Sequence, residues 1–124
     1  MKKLLPLIFL FVSIHCFSAT VTITTSGLTF SPDSVVMYFG DTLQFTNMTG
    51  HNAVEVSAAT WSAGGTTPLA GGFSTVVSGN TLTNIPVGLH YYVCTPHASI
   101  GMKGRIWVLP KLGTNVDCSE LFIS

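Results

Sequence analysis

Residues 91–104 of the chain read YYVCTPHASIGMKG, and this stretch brings three kinds of metal-binding side chain close together. An alternating run ends at Cys94, His97 follows three residues later, and Met102 follows after five more. The pattern predicts a tight loop between two strands that carries a thiolate, an imidazole and a thioether. A lone methionine in such a loop is most often a core residue. The joint spacing of the three residues instead indicates a metal site.

The chain on either side of this loop has the pattern of short β-strands. From Val21 onward, alternating apolar runs are separated by Gly, Pro, Asp and Asn, and Gly40-Asp41 indicates a tight hairpin. Residues 57–79 are small and rich in Gly, Ala, Ser and Thr, which predicts a long excursion with one short helix or a weak edge strand. About seven to eight strands at this spacing predict an all-β fold, a Greek-key antiparallel β-sandwich.

The first residues have the layout of a secretory signal peptide. Lys2 and Lys3 precede an apolar run over residues 4–17, and the small residues Ser18 and Ala19 follow. The run is shorter than the roughly 20 residues of a membrane-spanning helix. We expect a signal peptide at 1–19, one domain at 20–110 and a C-terminal tail at 111–124. The exported protein would then be periplasmic or extracellular, with no transmembrane span after cleavage.

Charge and cysteine content limit the function further. Removal of residues 1–19 leaves three Lys and Arg against five Asp and Glu, a formal charge of −2, which argues against nucleic acid as a partner. Cys16 raises the alternative of a lipid-anchored precursor, although such signals usually have a small residue where His15 stands. Cys94 and Cys118 remain, and a disulfide between them is the ordinary alternative in an oxidising compartment.

A fourth metal ligand comes from the start of another predicted strand. His51 follows the loop at residues 48–50, and it adds a second imidazole to the donors of Cys94, His97 and Met102. Two imidazoles, a thiolate and a weak axial thioether are the ligand set of a type 1 blue copper site. Four protein ligands leave no plainly open position for a substrate, which argues against an enzyme.

Several short motifs resemble the cupredoxins of the plastocyanin, azurin and phytocyanin group. They are GLTFSP at 27–32, GDTL at 40–43, HNAV at 51–54 and the C-x-x-H-x-x-x-x-M spacing from Cys94. The likeness covers about residues 21–110 and is strongest to plastocyanin-like bacterial members, because the phytocyanin disulfide is not matched. It implies one copper ion bound by His51, Cys94, His97 and Met102.

The same resemblance implies roles for residues around the metal. Asn52 and Thr95 would join the two ligand loops and steady the cysteine sulfur, as outer contacts of metal sites do. Gly50 stands where plastocyanins have proline and is similar to azurin, whose glycine carbonyl approaches the metal from the opposite axis. The imidazole edge of His97 would serve as the electron exit, within an apolar patch that includes Pro96 and Ile100.

The function that the resemblance implies is that of a one-electron carrier between redox proteins. Its partners would dock on the apolar patch around His97, and the protein is expected to be a monomer. Copper storage or delivery in the periplasm is the alternative function. Multicopper catalysis is disfavoured, because only His51, His90 and His97 remain after signal removal. His90 matches no family ligand, so a structural or solvent-facing role is expected for it.

Overall fold

The computed structural model describes residues 18–75 and 81–111. Most of the predicted signal peptide, the predicted tail beyond residue 111, and the two cysteines Cys16 and Cys118 lie outside the described residues. Among the residues that are described, no helix has both the length and the apolar character needed to cross a membrane.

Eight β-strands, one short α-helix and one 3₁₀ turn make up the described chain. The strands are β1 (Thr20–Ser26), β2 (Thr29–Ser31), β3 (Ser34–Tyr38), β4 (Thr42–Phe45), β5 (Val54–Val56), β6 (Thr81–Leu82), β7 (Gly88–Val93) and β8 (Lys103–Leu109). The helix α1 spans Ala58–Ser62, and the 3₁₀ turn spans Ala98–Ile100. The number of strands agrees with the predicted seven to eight.

The strands form two four-stranded sheets, which confirms the β-sandwich. The first sheet has the order β2-β1-β4-β6, and the second has the order β3-β8-β7-β5. Both sheets are mixed, which corrects the prediction of purely antiparallel sheets. Strand β1 runs parallel to β4, and β3 runs parallel to β8, whereas the other pairs are antiparallel.

The prediction of a hairpin at Gly40-Asp41 is wrong in one respect. A turn is present there, but it carries the chain from β3 in the second sheet to β4 in the first. The buried carboxylate of Asp41 stabilises this crossing, because it accepts the backbone N–H groups of Ala19 and Tyr38 at 2.9 Å each. The turn could therefore be predicted from the sequence, whereas the sheet to which the next strand belongs could not.

The core lies between the two sheets and is filled by the inward residues of the alternating runs. Tyr92 is central to it, with its ring edge-to-face against Phe30 at 4.8 Å and Phe45 at 5.5 Å between centroids. Burial, helped by the negative charge of Asp33, raises the pKa of the Tyr92 phenol well above its usual range. The buried core residues are Ile23, Phe30, Val35, Met37, Leu43, Phe45, Met48, Ala53, Ile85, Tyr92, Cys94, Met102, Ile106 and Val108.

Residues 57–75 cross the outside of the second sheet, as the sequence predicted. The Ser57 side chain accepts the Thr60 N–H and begins α1. Trp61 on this helix packs on Tyr91 with 5.2 Å between ring centroids. Isolated bridges from Pro68 and Ser74 to β5 then form a weak edge. Both predicted features, the short helix and the weak edge, are present.

Gly104 allows Tyr92 to occupy the core, and its replacement should destabilise the fold. A Cβ at position 104 would overlap the ring carbon and the hydroxyl oxygen at the tip of Tyr92. We expect Gly104→Ala to lower the free energy of unfolding by roughly 2 kcal/mol or more, as overpacking does, in a urea titration followed by Trp fluorescence.

Gly27→Ala is the control for this prediction, because no atom lies within 4 Å of a Cβ added there. It should cost only about 1–2 kcal/mol, from the positive φ of Gly27. Gly104→Ala and Tyr92→Leu together should cost less than the sum of their separate losses, because the clash with the Tyr92 ring is absent from the double variant. A Gly104→Ala variant as stable as the parent would contradict the proposed close packing.

Candidate metal centre

Cys94 lies at the first position after β7 and is fully buried. Its N–H donates to the Met102 carbonyl at 3.0 Å, and its own carbonyl accepts the His97 N–H at 3.0 Å. The thiol is free in the structure, and Cys118 is not among the described residues. The strand therefore delivers the sulfur to the interior edge of the sandwich, as the sequence predicted.

Backbone hydrogen bonds close the loop from Cys94 to Met102 into a fixed shape. The His97 carbonyl accepts the N–H groups of Ile100 and Met102, each at 3.1 Å. The 3₁₀ turn ends at Gly101, whose φ of 93° lies in the left-handed region that glycine tolerates best. These backbone hydrogen bonds restrict the positions of His97 and Met102 within the loop.

His51 reaches the site from a separate loop. Its N–H donates to the Met48 carbonyl at 2.8 Å, and the preceding Gly50 has a φ of 78°, which permits the turn. Strand β5 begins only at Val54, so His51 lies in the loop ahead of the strand and not at its first position. Met48 is buried beneath this turn and anchors it to the core.

The side chains of the two loops converge on the Cys94 sulfur. The sulfur lies 3.7 Å from Nδ1 of His51 and 3.4 Å from Nδ1 of His97. The ligand atoms of all three residues lie within 4.8 Å of one another. A first-row metal ion with bonds of roughly 2.0–2.3 Å can bond to donors at such separations. Geometry and donor types therefore fit a single metal ion.

Met102, the fourth predicted ligand, ends the loop that begins at Cys94. It is fully buried in the core, and its backbone bonds to both Cys94 and His97. Two imidazoles, one thiolate and one thioether together form an arrangement like that of a type 1 copper site. Hard oxygen donors, which magnesium and calcium prefer, do not occur in this set.

Asn52 and Thr95 join the two ligand loops by a reciprocal pair of hydrogen bonds. The Asn52 Nδ2 donates to Thr95 Oγ1 at 2.9 Å, and the Thr95 N–H donates to Asn52 Oδ1 at 2.8 Å. Each residue is the direct neighbour of a histidine or cysteine of the site. The contact between the loops that the resemblance implied is therefore present.

Two further supports were not predicted from the sequence. Thr75 exchanges hydrogen bonds with Ala53, at 2.8 Å through its hydroxyl and at 2.9 Å through its N–H. Nδ1 of His90 lies 2.6 Å from a carboxylate oxygen of Glu55, and Nε2 lies 2.7 Å from the Pro86 carbonyl oxygen. His90 is thus structural, one of its two expected roles. The Thr75–Ala53 and His90–Glu55 contacts have no local sequence signal, because they join residues 22 and 35 positions apart.

The predicted exit patch is exposed around the imidazole of His97. His97 itself is half-buried, Pro96 is exposed, and Ile100 exposes 62% of its surface. Residues 94–102 contain no charged side chain. The surface beside the imidazole is therefore uncharged, and its role as an apolar electron-exit patch stays a prediction.

The comparisons with known proteins agree on one family. A family model described as copper binding proteins of the plastocyanin/azurin family matches residues 17–109. A search of curated protein sequences finds no match. Among solved structures, pseudoazurin from Methylobacterium extorquens AM1 is 20% identical with a TM-score of 0.55, covering 72% of this chain and 74% of that one.

Two other solved structures show the range of the likeness. Spinach plantacyanin is 23% identical with a TM-score of 0.56, and the match covers 73% of this chain and 100% of that one. A copper-containing nitrite reductase from Thermus scotoductus is 26% identical with a TM-score of 0.56, covering 75% of this chain but 23% of that one. The chain belongs to the plastocyanin/azurin family of copper-binding proteins, the cupredoxins.

Proposed function

We propose that this chain is an exported carrier of single electrons that binds one copper ion through His51, Cys94, His97 and Met102. One observation carries the proposal: the Cys94 sulfur lies within 3.7 Å of a nitrogen from each of two histidines in separate loops. Membership of a copper-binding family supports the choice of metal, and cupredoxins generally transfer electrons.

The side chains of the site suit a metal that changes oxidation state by one. Bound copper would supply the Cu(I)/Cu(II) couple, for which sulfur donors favour the reduced ion and imidazoles the oxidised one. The loop hydrogen bonds around Cys94 and the Asn52–Thr95 pair hold these donors in nearly one geometry. Little rearrangement would then accompany the gain or loss of an electron, which favours rapid transfer.

The burial of the site supports a carrier over an enzyme. Cys94 and Met102 are fully buried, so the chain excludes water from the sulfur side of the site. Four protein ligands leave no open position for a substrate. The chain matches less than a quarter of the nitrite reductase, so that enzyme's activity is not inferred for it.

The partners we propose are redox proteins that dock on the apolar patch formed by His97, Pro96 and Ile100. The half-buried imidazole of His97 links this surface to the buried sulfur at 3.4 Å. Because residues 94–102 carry no charge, binding at this patch should depend only weakly on salt. A monomer suits this role, since the patch must be free to exchange partners.

Export is proposed from the layout of residues 1–19, which is that of a cleaved signal peptide. The carrier would act in the periplasm or outside the cell. A buried, metal-bound Cys94 would not be available for disulfide exchange in that oxidising environment.

Visible absorption tests the copper site directly. Addition of Cu(II) to the purified reduced apoprotein should give an intense blue thiolate-to-copper band, because Cys94 supplies the only sulfur anion in the described site. Cys94→Ser should abolish the band, and Cys118→Ser, its matched control, should retain it. The reverse pattern would overturn the assignment.

Metal exchange separates the electron carrier from the alternative of copper storage or delivery. A carrier should keep its copper against a competing chelator while electron self-exchange between Cu(I) and Cu(II) forms remains fast. Rapid loss of copper with slow self-exchange would favour delivery instead. Both rates can be measured on one sample, by absorption and by NMR line broadening.

Asn52→Ala should weaken copper binding without removing a ligand. The variant loses both hydrogen bonds to Thr95, so the His51 loop is no longer tied to the Cys94 loop. We expect copper affinity to fall by about 10–100-fold, as for other outer contacts of metal sites. The exposed Asn84 has a positive φ that glycine tolerates, so Asn84→Gly is the control, and it should bind copper like the parent. Equal affinities for all three proteins would contradict the role of Asn52.

Ile100→Glu should slow electron self-exchange by about tenfold at low salt, because two molecules that meet at His97 would then face each other with like charges. Added salt should restore the rate. Val87→Glu is the matched control: Val87 is 53% exposed and precedes β7 at the end away from Cys94. Similar slowing in both variants would show that electrons do not leave through this patch.

A further inference from the structure

A second exposed apolar surface lies on the outer face of the second sheet. Val36 on β3 and Leu89 on β7 both stand opposite Trp107 on β8 in the strand register. The three side chains therefore form one row across three strands, and they expose 59%, 45% and 54% of their surfaces respectively. Contiguous exposed apolar residues of this kind mark interaction sites more often than isolated ones do.

The row borders a shallow depression with a cation at its edge. The depression has a volume of about 250 Å³ and is lined by Ser34, Val35, Val36, Leu89, Arg105 and Trp107. Small-molecule sites usually measure roughly 300–1,000 Å³ and enclose their ligand. A smaller, open depression suits a single protruding side chain of a macromolecular partner better than a free small molecule.

Positive charge accompanies this surface. Lys103 and Arg105 occupy successive outward positions of β8, and Trp61 orders both: the Lys103 ammonium lies 4.0 Å and the Arg105 guanidinium 5.4 Å from its ring centroid. Neither cation forms an ion pair with a carboxylate of the described chain, in which Glu55–His90 is the recorded pair. The Lys103 ammonium also donates to the Trp61 carbonyl at 3.0 Å, so the exposed Arg105 is the more accessible cation for an incoming acidic group.

Among residues 18–75 and 81–111, no carboxylate forms an ion pair with either cation. Asp41 accepts two backbone N–H groups, and the carboxylate of Glu55 contacts His90. Asp33 contacts Arg105 by a backbone hydrogen bond, in which the Asp33 carbonyl accepts the Arg105 N–H at 2.9 Å. Its negative charge acts on Tyr92 in the core, and its carboxylate makes no ion pair with Arg105.

We propose that this outer face is a docking surface for an acidic partner protein. The partner inserts one apolar side chain between Val36, Leu89 and Trp107, and it presents carboxylates to Arg105 and Lys103. A second copy of the chain is a poorer occupant, because a symmetric contact would bring its own Lys103 and Arg105 to the same face. This surface is distinct from the uncharged patch at His97, and binding to it is salt-dependent.

The test uses a blocked peptide, Gly-Glu-Leu-Glu-Gly, titrated into the ¹⁵N-labelled, fully reduced protein. Amide shifts should change at Val36, Leu89, Arg105 and Trp107 and leave His97 unmoved. Arg105→Gln should weaken binding by about threefold, as the loss of one exposed ion pair does, and Trp107→Thr should weaken it further. Raising the salt concentration should weaken binding to the parent more than to Arg105→Gln.

Gly-Lys-Leu-Lys-Gly is the matched control peptide, and Lys111→Gln is a control variant that removes a charge beyond the end of β8. Equal shifts with both peptides, or no shifts at this face, would overturn the proposal. Sedimentation that shows a dimer of the parent but a monomer of Trp107→Thr would assign the face to a second copy and also overturn it. None of these readouts involves copper, so their failure is distinguishable from failure of the electron-carrier proposal.

Discussion

Two hydrogen bonds between Asn52 and Thr95 hold together parts of the chain that are 43 residues apart. Without this contact, the loop that carries His51 would be tied to the Cys94 loop only indirectly, through strands β5 and β7. The pair uses a side-chain amide as both donor and acceptor, so neither loop can shift without breaking a bond in a partly buried setting. The contact therefore helps to fix the spacing between the His51 imidazole and the Cys94 sulfur.

The sandwich supports this contact from below. Thr75 ties the chain after Asn52 to the edge segment, and the Glu55–His90 pair links β5, which follows His51, to β7, which precedes Cys94. Tyr92 lies two residues before Cys94, and the aromatic cluster around it fills the space between the sheets. A site with this much surrounding packing is rigid, which suits donors that must serve two oxidation states of one ion.

Much of the fold could be predicted because burial on one face leaves a period of two in the sequence. In β8, Ile106 and Val108 face the core while Arg105 and Trp107 face outward. This alternation of apolar and outward residues can be recognised in the sequence alone. Strand partners were less predictable, since Gly40-Asp41 specifies a turn but not the sheet that receives the next strand. For the site, Cys94, His97 and Met102 are close in sequence, whereas His51 lies 43 residues before Cys94 and was assigned because a second imidazole was needed, with support from the family resemblance. The contacts of Thr75 and of Glu55 with His90 leave no local pattern, because they depend on tertiary proximity alone.

The environment of His90 has a consequence for the loading of the protein with metal. Both ring nitrogens lie against oxygen atoms, at 2.6 Å from the Glu55 carboxylate and 2.7 Å from the Pro86 carbonyl, so a metal ion could reach either nitrogen only by breaking one of these contacts. The described residues contain two other histidines, and both converge at Cys94. An incoming copper ion therefore meets a single competent set of imidazoles in this part of the chain. A histidine that lies outside the proposed copper site thus helps to confine the metal to that site within the described part of the chain.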